Sequence, residues 1–231
     1  MAVTHLTILL ESCFRPADGT SWAAGDDVSE HYNSWGFTIY RTAYGPSTDA
    51  QWRTLLDKIR AQVDSEIECY DADEEEVVAK LKSLFVLDAR SDAALLADKT
   101  MAEVREVHKR SSSSNDDGPN DRAFLLADAE VLEGVDRDPY FWVKCVEADF
   151  TEEELAEAVL VASGGRGRAG FAAGPWFGWM KMTTRSVVDL CAEMPFRDLA
   201  SIAPGAMTAG EVVYNGELTG SSLTSKMSSG K

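Results

Sequence analysis

The sequence predicts an α+β protein in which helices pack on one face of a mostly antiparallel sheet. Segments rich in β-branched and aromatic residues alternate along the chain with segments of helical periodicity. The predicted strands lack the long apolar runs of a doubly wound parallel sheet. Apolar and polar positions alternate in Tyr140–Ala148, which is typical of a strand with one covered face. A ferredoxin-like or a dimeric α/β-barrel-like arrangement would be a version of this architecture.

The 231 residues suit one medium-sized domain with tails at both ends. Residues 1–34 are predicted to form an N-terminal strand, over residues 1–10, and a long loop. Residues 35–195 carry the periodic segments and are predicted to be a single α+β domain. After Pro195 the periodicity is lost, and the last part of the chain is mostly Ser, Gly, Thr and Lys. Residues 196–231 are therefore predicted to be an irregular, largely disordered tail.

The clearest unit of the chain is a strand followed by a helix. Trp35–Tyr44 is rich in β-branched and aromatic residues and is closed by Gly45-Pro46, which predicts a strand that ends in a turn. Thr48 is a favourable N-cap residue, and Gln51 occupies the capping-box position three residues later. The helix that follows has one apolar face, formed by Trp52, Leu55, Leu56, Ile59 and Val63.

Further capping signals and apolar segments continue the alternation of helices and strands. Glu74–Lys82 is predicted to be a short helix capped by Asp73, and Leu84–Leu87 is predicted to be a strand. Thr100 with Glu103 marks the start of the next helix. Beyond these, the sequence predicts strand Arg122–Ala127, helical turn Ala129–Val135, strand Tyr140–Ala148, a helix from Thr151 to about Val161, a strand in the second half of 175–182, and a helix from Thr184 to Met194.

The formal net charge of −17 surrounds most of the surface with a field that repels anions. Nucleic acids and anionic membranes are therefore not expected partners. Eight acidic residues and no basic residue lie between Asp64 and Glu76, and this run is interpreted as solvated surface. Leu6–Leu10 is apolar but has no basic flank, so a secretory signal peptide is not expected. No stretch of the sequence reaches the ~18 apolar residues of a membrane span.

Histidine and cysteine are scarce and scattered in this chain. His5, His31 and His108 do not lie at metal-ligand spacing, and the four cysteines are each more than forty residues apart. Metal ions, other cofactors and redox dithiols are therefore not expected. Isolated cysteines in a chain of this length favour reduced thiols and a cytoplasmic location. His108 lies on the apolar side of its predicted helix and is interpreted as a structural residue.

Several segments of the sequence resemble those of a known family. The first is W-G-F-x-x-Y-R, at residues 35–41, ahead of a helix that carries Asp49 and Trp52. The others are Val104-Arg105, Asp128 with Leu132, and Gly178-Trp179-Met180-Lys181. Over residues 35–194 the chain resembles a large family of uncharacterised intracellular proteins of filamentous fungi, which has no assigned activity. The resemblance implies a fungal, intracellular, single-domain protein and no particular catalytic residues.

Carboxylates, tyrosines and arginines are the candidate catalytic groups in a chain without histidine clusters. Asp128 and Glu147 lie near the ends of predicted strands, where contact with apolar surface would raise a carboxyl pKa and suit it to acid–base work. Tyr40 offers a second type of proton donor. Arg41 follows Tyr40 and would pair with such an acid or bind an anionic substrate. The alternative for each of these residues is a surface or salt-bridging role.

Aromatic residues concentrate in distant parts of the chain. Packing in an ordinary core is one explanation for them. The other is a shared cavity for an apolar small molecule, which requires that the predicted strands lie in one sheet. The four residues predicted to line that cavity are Trp35, Phe37, Trp142 and Trp179.

Gly165–Gly170 matches the pattern G-x-G-x-x-G, but it follows a predicted helix rather than a strand, so a dinucleotide site is not predicted. Arg166 and Arg168 form a close basic pair within this segment. They are predicted to bind a carboxylate or phosphate group, to fold over a pocket as a lid, or to belong to a flexible basic loop.

Two functions remain open from the sequence. The first is a cofactor-independent enzyme of the isomerase, cyclase or lyase type, which acts on an apolar or amphipathic metabolite in an aromatic-lined pocket. The second is a non-catalytic interaction or regulatory protein with an acidic surface. An enclosed pocket with an ionisable group favours the first, and a filled core with an exposed apolar patch favours the second. The expected partners are a small apolar metabolite and a second copy of the chain, as a homodimer.

Overall fold

The computed structural model describes residues 5–15, 31–69, 75–112, 121–135, 141–164, 175–205, 210 and 212–216. These residues form an α+β structure with one six-stranded sheet, so the predicted fold class is confirmed. The strands are β1 (Trp35–Arg41), β2 (Phe85–Arg90), β3 (Ala123–Ala127), β4 (Trp142–Glu147), β5 (Trp179–Thr183) and β6 (Val213–Tyr214). The helices are α1 (His5–Cys13), α2 (Thr48–Cys69), α3 (Glu75–Leu84), α4 (Ala93–Leu96), α5 (Met101–Ser112), α6 (Ala129–Gly134), α7 (Glu152–Ala162), α8 (Val187–Glu193) and α9 (Leu199–Ile202), with a 3₁₀ turn at Thr184–Ser186.

The sheet is mixed rather than mostly antiparallel. Its strand order is β2-β1-β3-β4-β5-β6. β1 pairs in parallel with β2 and β3, and β5 with β6, while β4 runs antiparallel to β3 and β5. The first parallel pairs arise because helices connect β1 to β2 and β2 to β3, and a strand that follows a helical crossover returns parallel. This order differs from the β-α-β-β-α-β arrangement of the ferredoxin-like version.

Helices cover both faces of the sheet, whereas the sequence predicted one covered face. The connection from β1 to β2 passes through α2 and α3, and the connection from β2 to β3 passes through α4 and α5 on the opposite side. Because β2 and β3 flank β1 on opposite sides, two crossovers of the same hand must lie on opposite faces. β1 is therefore covered twice, and all of its residues are buried.

The larger core lies between the sheet and helices that include α1, α2, α6 and α8. β1 contributes Phe37 and Ile39, and β5 contributes Met182, all three fully buried. Full burial of an apolar side chain of this size stabilises the fold by roughly 1.5–3 kcal/mol. α2 contributes the predicted apolar face, which extends further than predicted: Trp52, Leu55, Leu56, Ile59, Val63 and Ile67.

The smaller core lies on the other face of the sheet, beneath α4 and α5. α5 packs on β3, on β4 and on Tyr40 at the end of β1, and a cleft lies beside it along Thr38 of β1 and Asp88 of β2. The buried members of the smaller core are Tyr40, Leu96, Val104, Val107, Phe124, Leu126 and Val146.

The N-terminal segment is a helix where the sequence predicted a strand. α1 spans His5–Cys13, and it packs against α3 and α8. Leu6, Leu9 and Cys13 are buried at helical spacing. The short apolar run at Leu6–Leu10 cannot distinguish a strand from a buried helix by periodicity alone, which explains the error.

The region predicted as an irregular tail contributes to the fold. α9 and β6 lie beyond residue 195, and β6 pairs with β5 as the last strand of the sheet. Tyr214 of β6 is 1% exposed and belongs to the larger core. The sheet and the larger core therefore extend beyond the boundary predicted at residue 195. Residues 217–231, which carry most of the predicted disorder, lie outside the described residues.

Two of the predicted capping boxes are confirmed by hydrogen bonds at helix starts. Thr151 and Glu154 cap α7 reciprocally, and Thr100 and Glu103 do the same at α5. Thr48, predicted as an N-cap, is instead the first residue of α2, and its hydroxyl donates to a carbonyl of the preceding turn.

Candidate functional site

An open cleft of about 490 Å³ is lined at one end by the α5 face of the sheet and at the other, beside the start of β1, by the ends of α1 and α8. Its floor is formed by Gly36, Thr38 and Tyr40, alternate residues of β1 that share one face. Gly36 has a φ of +128°, and a Cβ there would lie 2.1 Å from the Val86 carbonyl oxygen, so only glycine lets β2 approach at this point. The walls come from the ends of α1 and α8, from β2, and from α5 with the residues that precede β3.

The polar end of the cleft holds a hydrogen-bonded chain of three residues. The Tyr40 hydroxyl lies 3.2 Å from Nδ1 of His108, and Nε2 of His108 lies 3.0 Å from the backbone oxygen of Asp121. Tyr40 and His108 are both 2% exposed. The position of His108 is set by α5, because Val104 and Val107 of that helix are buried in the smaller core.

The Asp121 carbonyl determines which nitrogen of His108 carries the proton. A carbonyl oxygen only accepts hydrogen bonds, so Nε2 is the donor and Nδ1 of the neutral ring is an acceptor. The Tyr40 hydroxyl therefore donates to Nδ1. Burial lowers the pKa of His108, although the Asp121 carbonyl and the charges of Asp121 and Asp149 oppose this shift. His108 is thus a neutral base at physiological pH.

Tyr40 is a protonated phenol at physiological pH. Burial raises its pKa, although the Ser111 hydroxyl and the charge of Arg90 oppose the shift. Its ring makes edge contacts with the rings of His108 and Phe124, at centroid distances of 5.8 and 5.4 Å. These contacts hold the phenol and the imidazole in fixed orientations.

A guanidinium group lies next to Tyr40 on the neighbouring strand. Arg90 of β2 is the register partner of Tyr40 in β1, so the two side chains start on the same face of the sheet. Nε and Nη2 of Arg90 both lie 2.7 Å from Oδ2 of Asp88. This half-exposed ion pair contributes little to stability. Its effect is to hold a positive charge at the polar end of the cleft.

The opposite end of the cleft is apolar. Leu9, Trp35 and Met194 line it, together with the thiols of Cys13 and Cys191. Burial raises the pKa of Cys13 to about 11 and that of Cys191 well above its ordinary value. Both thiols therefore stay protonated and behave as small apolar groups rather than as nucleophiles.

Trp35 and Phe37, two of the predicted pocket residues, both belong to the larger core, Trp35 at 5% exposure and Phe37 fully buried. The Trp35 indole Nε1 donates to the Leu81 carbonyl at 2.8 Å, and its ring packs against Phe85. Trp35 also lines the cleft, whereas Phe37 does not. The core alternative therefore fits both residues, and the pocket prediction fits Trp35 in addition.

Trp142 and Trp179 lie on β4 and β5, and neither lines the cleft. Lys181 Nζ lies 4.1 Å from the centre of the Trp142 ring, and Lys144 Nζ lies 5.3 Å from that of Trp179. Trp35 and Trp179 belong to one sheet, but β3 and β4 separate their strands, a distance of roughly 14 Å at ordinary strand spacing. The structure therefore does not bring the predicted aromatic residues into one cavity.

Arg41, predicted as a catalytic or substrate-binding residue, belongs to the turn between β1 and α2. Its side chain is 4% exposed. Nε donates to the Ala43 carbonyl at 2.9 Å, and Nη2 donates to Thr48 Oγ1 and Asp49 Oδ1, both at 2.6 Å. All of these partners lie within the turn or the first residues of α2. Its role is therefore structural, as the salt-bridging alternative predicted.

Asp128, predicted as a catalytic acid, also has a structural position. Its carboxylate accepts from the Val131 backbone N at 3.1 Å as the N-cap of α6, and it pairs with Lys144. Glu130 binds the same ammonium group at 2.9 Å. Burial lowers the pKa of Lys144, but these two hydrogen-bonded carboxylates outweigh burial and raise it overall.

Glu147 lies in a second cavity, of about 230 Å³, and not in the cleft. Its Oε2 accepts from the Trp176 indole Nε1 at 2.6 Å. Burial raises the pKa of Glu147, the charges of Glu154 and Asp198 raise it further, and the Trp176 hydrogen bond opposes them. This raised pKa agrees with the direction that the sequence predicts for a carboxyl group near the end of a strand, in contact with apolar surface. The second cavity does not include Tyr40, so the structure does not join these two predicted residues.

Three of the residues singled out from the sequence lie outside the described part of the chain. Arg166 and Arg168, the predicted anion clamp or lid, belong to residues 165–174. Asp73, the predicted cap of α3, belongs to residues 70–74.

His108, Asp88 and Arg90 are the site residues that sequence analysis missed. The sequence favours a structural role for His108, because its place on the apolar side of a helix does not reveal which strand the helix covers. One signal was present: a buried histidine needs hydrogen-bond partners, and a tyrosine on a strand is a suitable one. Asp88 and Arg90 fall beyond the predicted end of β2, which extends to Arg90 rather than to Leu87.

The fold and site together define an α+β chain with a mixed sheet and a cleft that is polar at one end and apolar at the other. Comparison of the chain with protein-family models, curated proteins and solved structures gave no match. Among the described residues, no group of three or more His, Cys, Asp or Glu side chains is arranged to hold a metal ion. The helices within the described ranges include none with the length and apolar character needed to cross a membrane.

Proposed function

We propose that this chain is a cofactor-independent enzyme of the isomerase, cyclase or lyase type, which acts on a small amphipathic metabolite bound in the cleft. The observation that carries the proposal is the hydrogen-bonded chain from Tyr40 through His108 to Asp121. Such a chain transfers a proton by means of side chains alone. A cleft of about 490 Å³ has the size of ordinary small-molecule sites.

In the proposed reaction Tyr40 contacts the substrate and His108 acts through it. The Tyr40 oxygen takes a proton from a substrate carbon while the Tyr40 proton moves to Nδ1 of His108. The electron pair of the broken C–H bond passes into an adjacent unsaturated group of the substrate. Because burial lowers the pKa of His108, the imidazolium is short-lived. The proton that Tyr40 has taken from the substrate exchanges with water in the open cleft before a proton returns to the substrate, and the His108 proton then returns to the Tyr40 oxygen.

The fate of the electron pair distinguishes the reaction types. Return of the proton to a different carbon of the substrate is an isomerisation, and it leaves Tyr40 and His108 as they began. Expulsion of a leaving group by the electron pair is a lyase reaction, and the proton then departs with the leaving group. Both reactions balance with the substrate and these two residues alone.

The two ends of the cleft favour an amphipathic substrate over a wholly apolar one. Leu9 and Met194 lie at one end, and His108 and Arg90 lie at the other. The proposal therefore replaces the aromatic-lined pocket by a cleft in which Trp35 supplies an indole at the apolar end.

A cytoplasmic location is part of the proposal. Cys13, Cys145 and Cys191 are buried thiols, and Cys69 is an exposed one. Unpaired cysteines of this kind suit a reducing compartment. The homodimer and the membership of the fungal family stay predictions.

Solvent deuterium tests the proposed function with a whole mixture of metabolites rather than with one chosen substrate. The purified protein is incubated in D₂O with a metabolite extract, returned to H₂O, and the extract is examined by liquid chromatography and mass spectrometry. Isomerisation leaves at least one metabolite with a deuterium on carbon that does not wash out, and a lyase reaction converts at least one metabolite into two products of lower mass. We expect labelling with the wild type and its loss with Tyr40→Phe, because the phenylalanine ring keeps the packing and removes the reacting oxygen.

Tyr44→Phe is the matched control for that experiment. The Tyr44 hydroxyl donates to the Arg41 carbonyl at 3.0 Å and lies outside the cleft, so this variant should label as the wild type does. An extract that the wild type leaves both unlabelled and chemically unchanged, or that Tyr40→Phe labels or converts to the same extent, would rule out the proposed chemistry.

A non-catalytic interaction protein is the second candidate, and one feature favours it. α7 exposes Leu155, Val159 and Leu160 at 42%, 54% and 50%. If this face binds a second copy of the chain, Val159→Glu should abolish self-association in analytical ultracentrifugation. Self-association that depends on Val159, together with an unlabelled extract, would favour this candidate over the enzyme.

A further inference from the structure

The cleft has a positive charge balance within an acidic chain. Its described charged side chains are Arg15, Arg90 and Arg122 against Asp88 and Asp121, whereas the whole chain has a formal net charge of −17. A concave site with low-dielectric walls focuses the field of the charges that line it. An anion is therefore bound more favourably in the cleft than over the rest of the acidic surface.

Arg90 has a guanidinium edge that Asp88 does not occupy. The ion pair uses Nε and Nη2, and within the described part of the chain Nη1 has no hydrogen-bond partner. The Arg90 side chain is 50% exposed, so this edge is accessible to a ligand. A guanidinium edge matches the planar carboxylate group in shape and charge. Asp88 acts as a positioning residue, because its ion pair fixes the orientation of the Arg90 guanidinium group.

The position of Arg90 determines where a ligand with an anionic head group would lie relative to Tyr40 and His108. Arg90 and Tyr40 are neighbours across the β1–β2 ladder, on the same face of the sheet. From Tyr40, the floor of the cleft runs four residues along β1 to Gly36, a distance of roughly 13 Å, and the apolar end with Trp35 lies next to Gly36. A head group at Arg90 therefore places the adjacent carbons beside Tyr40 and directs an apolar tail toward Leu9 and Met194.

From these contacts we infer that the ligand of the cleft is an amphipathic carboxylic acid, whose carboxylate binds Arg90 and whose apolar tail lies toward Trp35. As a statement about the substrate, this inference rests on the proposed function; as a statement about binding, it holds without catalysis. It narrows the substrate class to organic acids with an apolar chain of medium length.

Three probes with one tail and different head groups test the inference. Octanoate, octanol and octylammonium are titrated into the full-length protein by isothermal calorimetry. Octanoate should bind at least about tenfold more tightly than the other two, since a charge-assisted hydrogen bond contributes that much or more. Equal affinity for octanol, or tighter binding of octylammonium, would overturn the inference.

Arg90→Gln and Arg53→Gln form a matched pair of variants. Arg53 is exposed on α2, away from the cleft, and its Nε donates to a backbone carbonyl. Arg90→Gln should weaken octanoate binding by about tenfold or more and leave octanol unchanged, while Arg53→Gln changes neither. An unchanged octanoate affinity in Arg90→Gln would exclude Arg90 as the carboxylate ligand.

The Tyr40→Phe variant separates this inference from the proposed function. It should keep the preference for octanoate over octanol while it loses deuterium labelling, because Arg90 and not Tyr40 binds the carboxylate. Octanoate binding by a wild-type protein that neither labels nor converts any metabolite would reject the enzyme and retain the acid-binding cleft. Labelling confined to metabolites without a carboxylate would reject the acid and retain the enzyme.

Discussion

At the scale of single residues, Tyr40 and His108 each provide a hydrogen-bond partner for a buried polar group of the other. An unpaired hydroxyl or imidazole in an apolar environment costs about 1–3 kcal/mol. The hydrogen bond from Tyr40 to Nδ1 and that from Nε2 to the Asp121 carbonyl remove this cost. The same two hydrogen bonds orient the groups for proton transfer, so one arrangement serves both stability and the proposed chemistry.

The lowered pKa of His108 predicts how stability depends on pH. The folded protein resists protonation of His108, so the unfolded chain binds the additional proton as the pH falls below the ordinary histidine value of about 6.5. The free energy of unfolding contributed by this residue is therefore complete above that pH. It falls toward acid by up to about 1.4 kcal/mol per pH unit. Urea unfolding between about pH 5 and about pH 8 measures the slope.

His108→Gln isolates this contribution, because glutamine keeps a donor and an acceptor but does not titrate. The difference in unfolding free energy between the wild type and His108→Gln should shrink as the pH falls. Carboxyl groups such as Glu147 titrate in both proteins and cancel in that difference. A difference that stays constant with pH would contradict the assignment of a neutral, buried His108.

Residue type alone predicted part of the site. Tyr40 is a candidate from the sequence and lies at the polar end of the cleft, whereas Arg41, its neighbour, faces the other side of β1. Adjacent residues of a strand point in opposite directions, so at most one of them lines a given cavity. Which face would hold the cleft depends on where α5 packs, and the sequence of β1 does not contain that information.

At the scale of secondary-structure elements, Arg41 joins β1 to α2. Its guanidinium donates to Ala43, Thr48 and Asp49, which are the turn and the first residues of the helix. The side chain is buried while Asp49 is 76% exposed, so solvent weakens the ion pair more than the other hydrogen bonds. The orientation of α2 on the sheet therefore depends on one side chain from the end of β1.

Arg41→Gln should lower the free energy of unfolding by about 1.5–3 kcal/mol, the value of the lost hydrogen bonds to a charged group. Urea denaturation at neutral pH measures this change. Arg53→Gln, an exposed change of the same type, should stay within about 0.5 kcal/mol of the wild type. If Arg41→Gln keeps full stability but loses deuterium labelling, Arg41 is catalytic after all and the structural assignment fails.

Local signals predicted the helix starts better than the pairing of strands. The capping boxes at Thr100 and Thr151 each join residues three apart, so both partners can be read from a short segment. The parallel pairing of β1 with β2 and β3 depends on the direction in which long crossovers return. That direction depends on which face of the sheet each crossover helix packs against, and this packing involves residues far apart in the sequence.

At the scale of the whole molecule, the sheet is completed by the part of the chain that looked least structured. β6 is only Val213–Tyr214, and it joins the edge of β5 in parallel. Tyr214 fills a position in the larger core, where burial raises its pKa well above the ordinary value. A strand of two residues has no periodicity that sequence analysis could detect. We expect its contribution to the stability of the fold to come mainly from the buried Tyr214 side chain.

Tyr214→Ala should therefore destabilise the protein by about 3 kcal/mol, as expected for a large aromatic side chain removed from a core. Phe196→Ala is the matched control, because Phe196 is 72% exposed and lies in the same region of the chain. It should change stability by less than about 0.5 kcal/mol. Equal, small effects of both variants in thermal unfolding would show that β6 is not part of the stable fold.

The sequence by itself determined the α+β class, most of the helices and strands, and the apolar face of α2, because periodicity and capping depend on residues a few positions apart. Only the tertiary structure decided that the sheet is mixed, that helices cover both of its faces, and that Tyr40 meets His108 rather than Asp128 or Glu147. The reason is physical. Each strand has two faces and each amphipathic helix has one apolar face, and which strand face a helix packs against depends on contacts between segments far apart in the chain. The cleft exists because α5 packs on β3, β4 and Tyr40 of β1 and leaves a space beside Thr38 and Asp88, and no single segment of the sequence determines that arrangement.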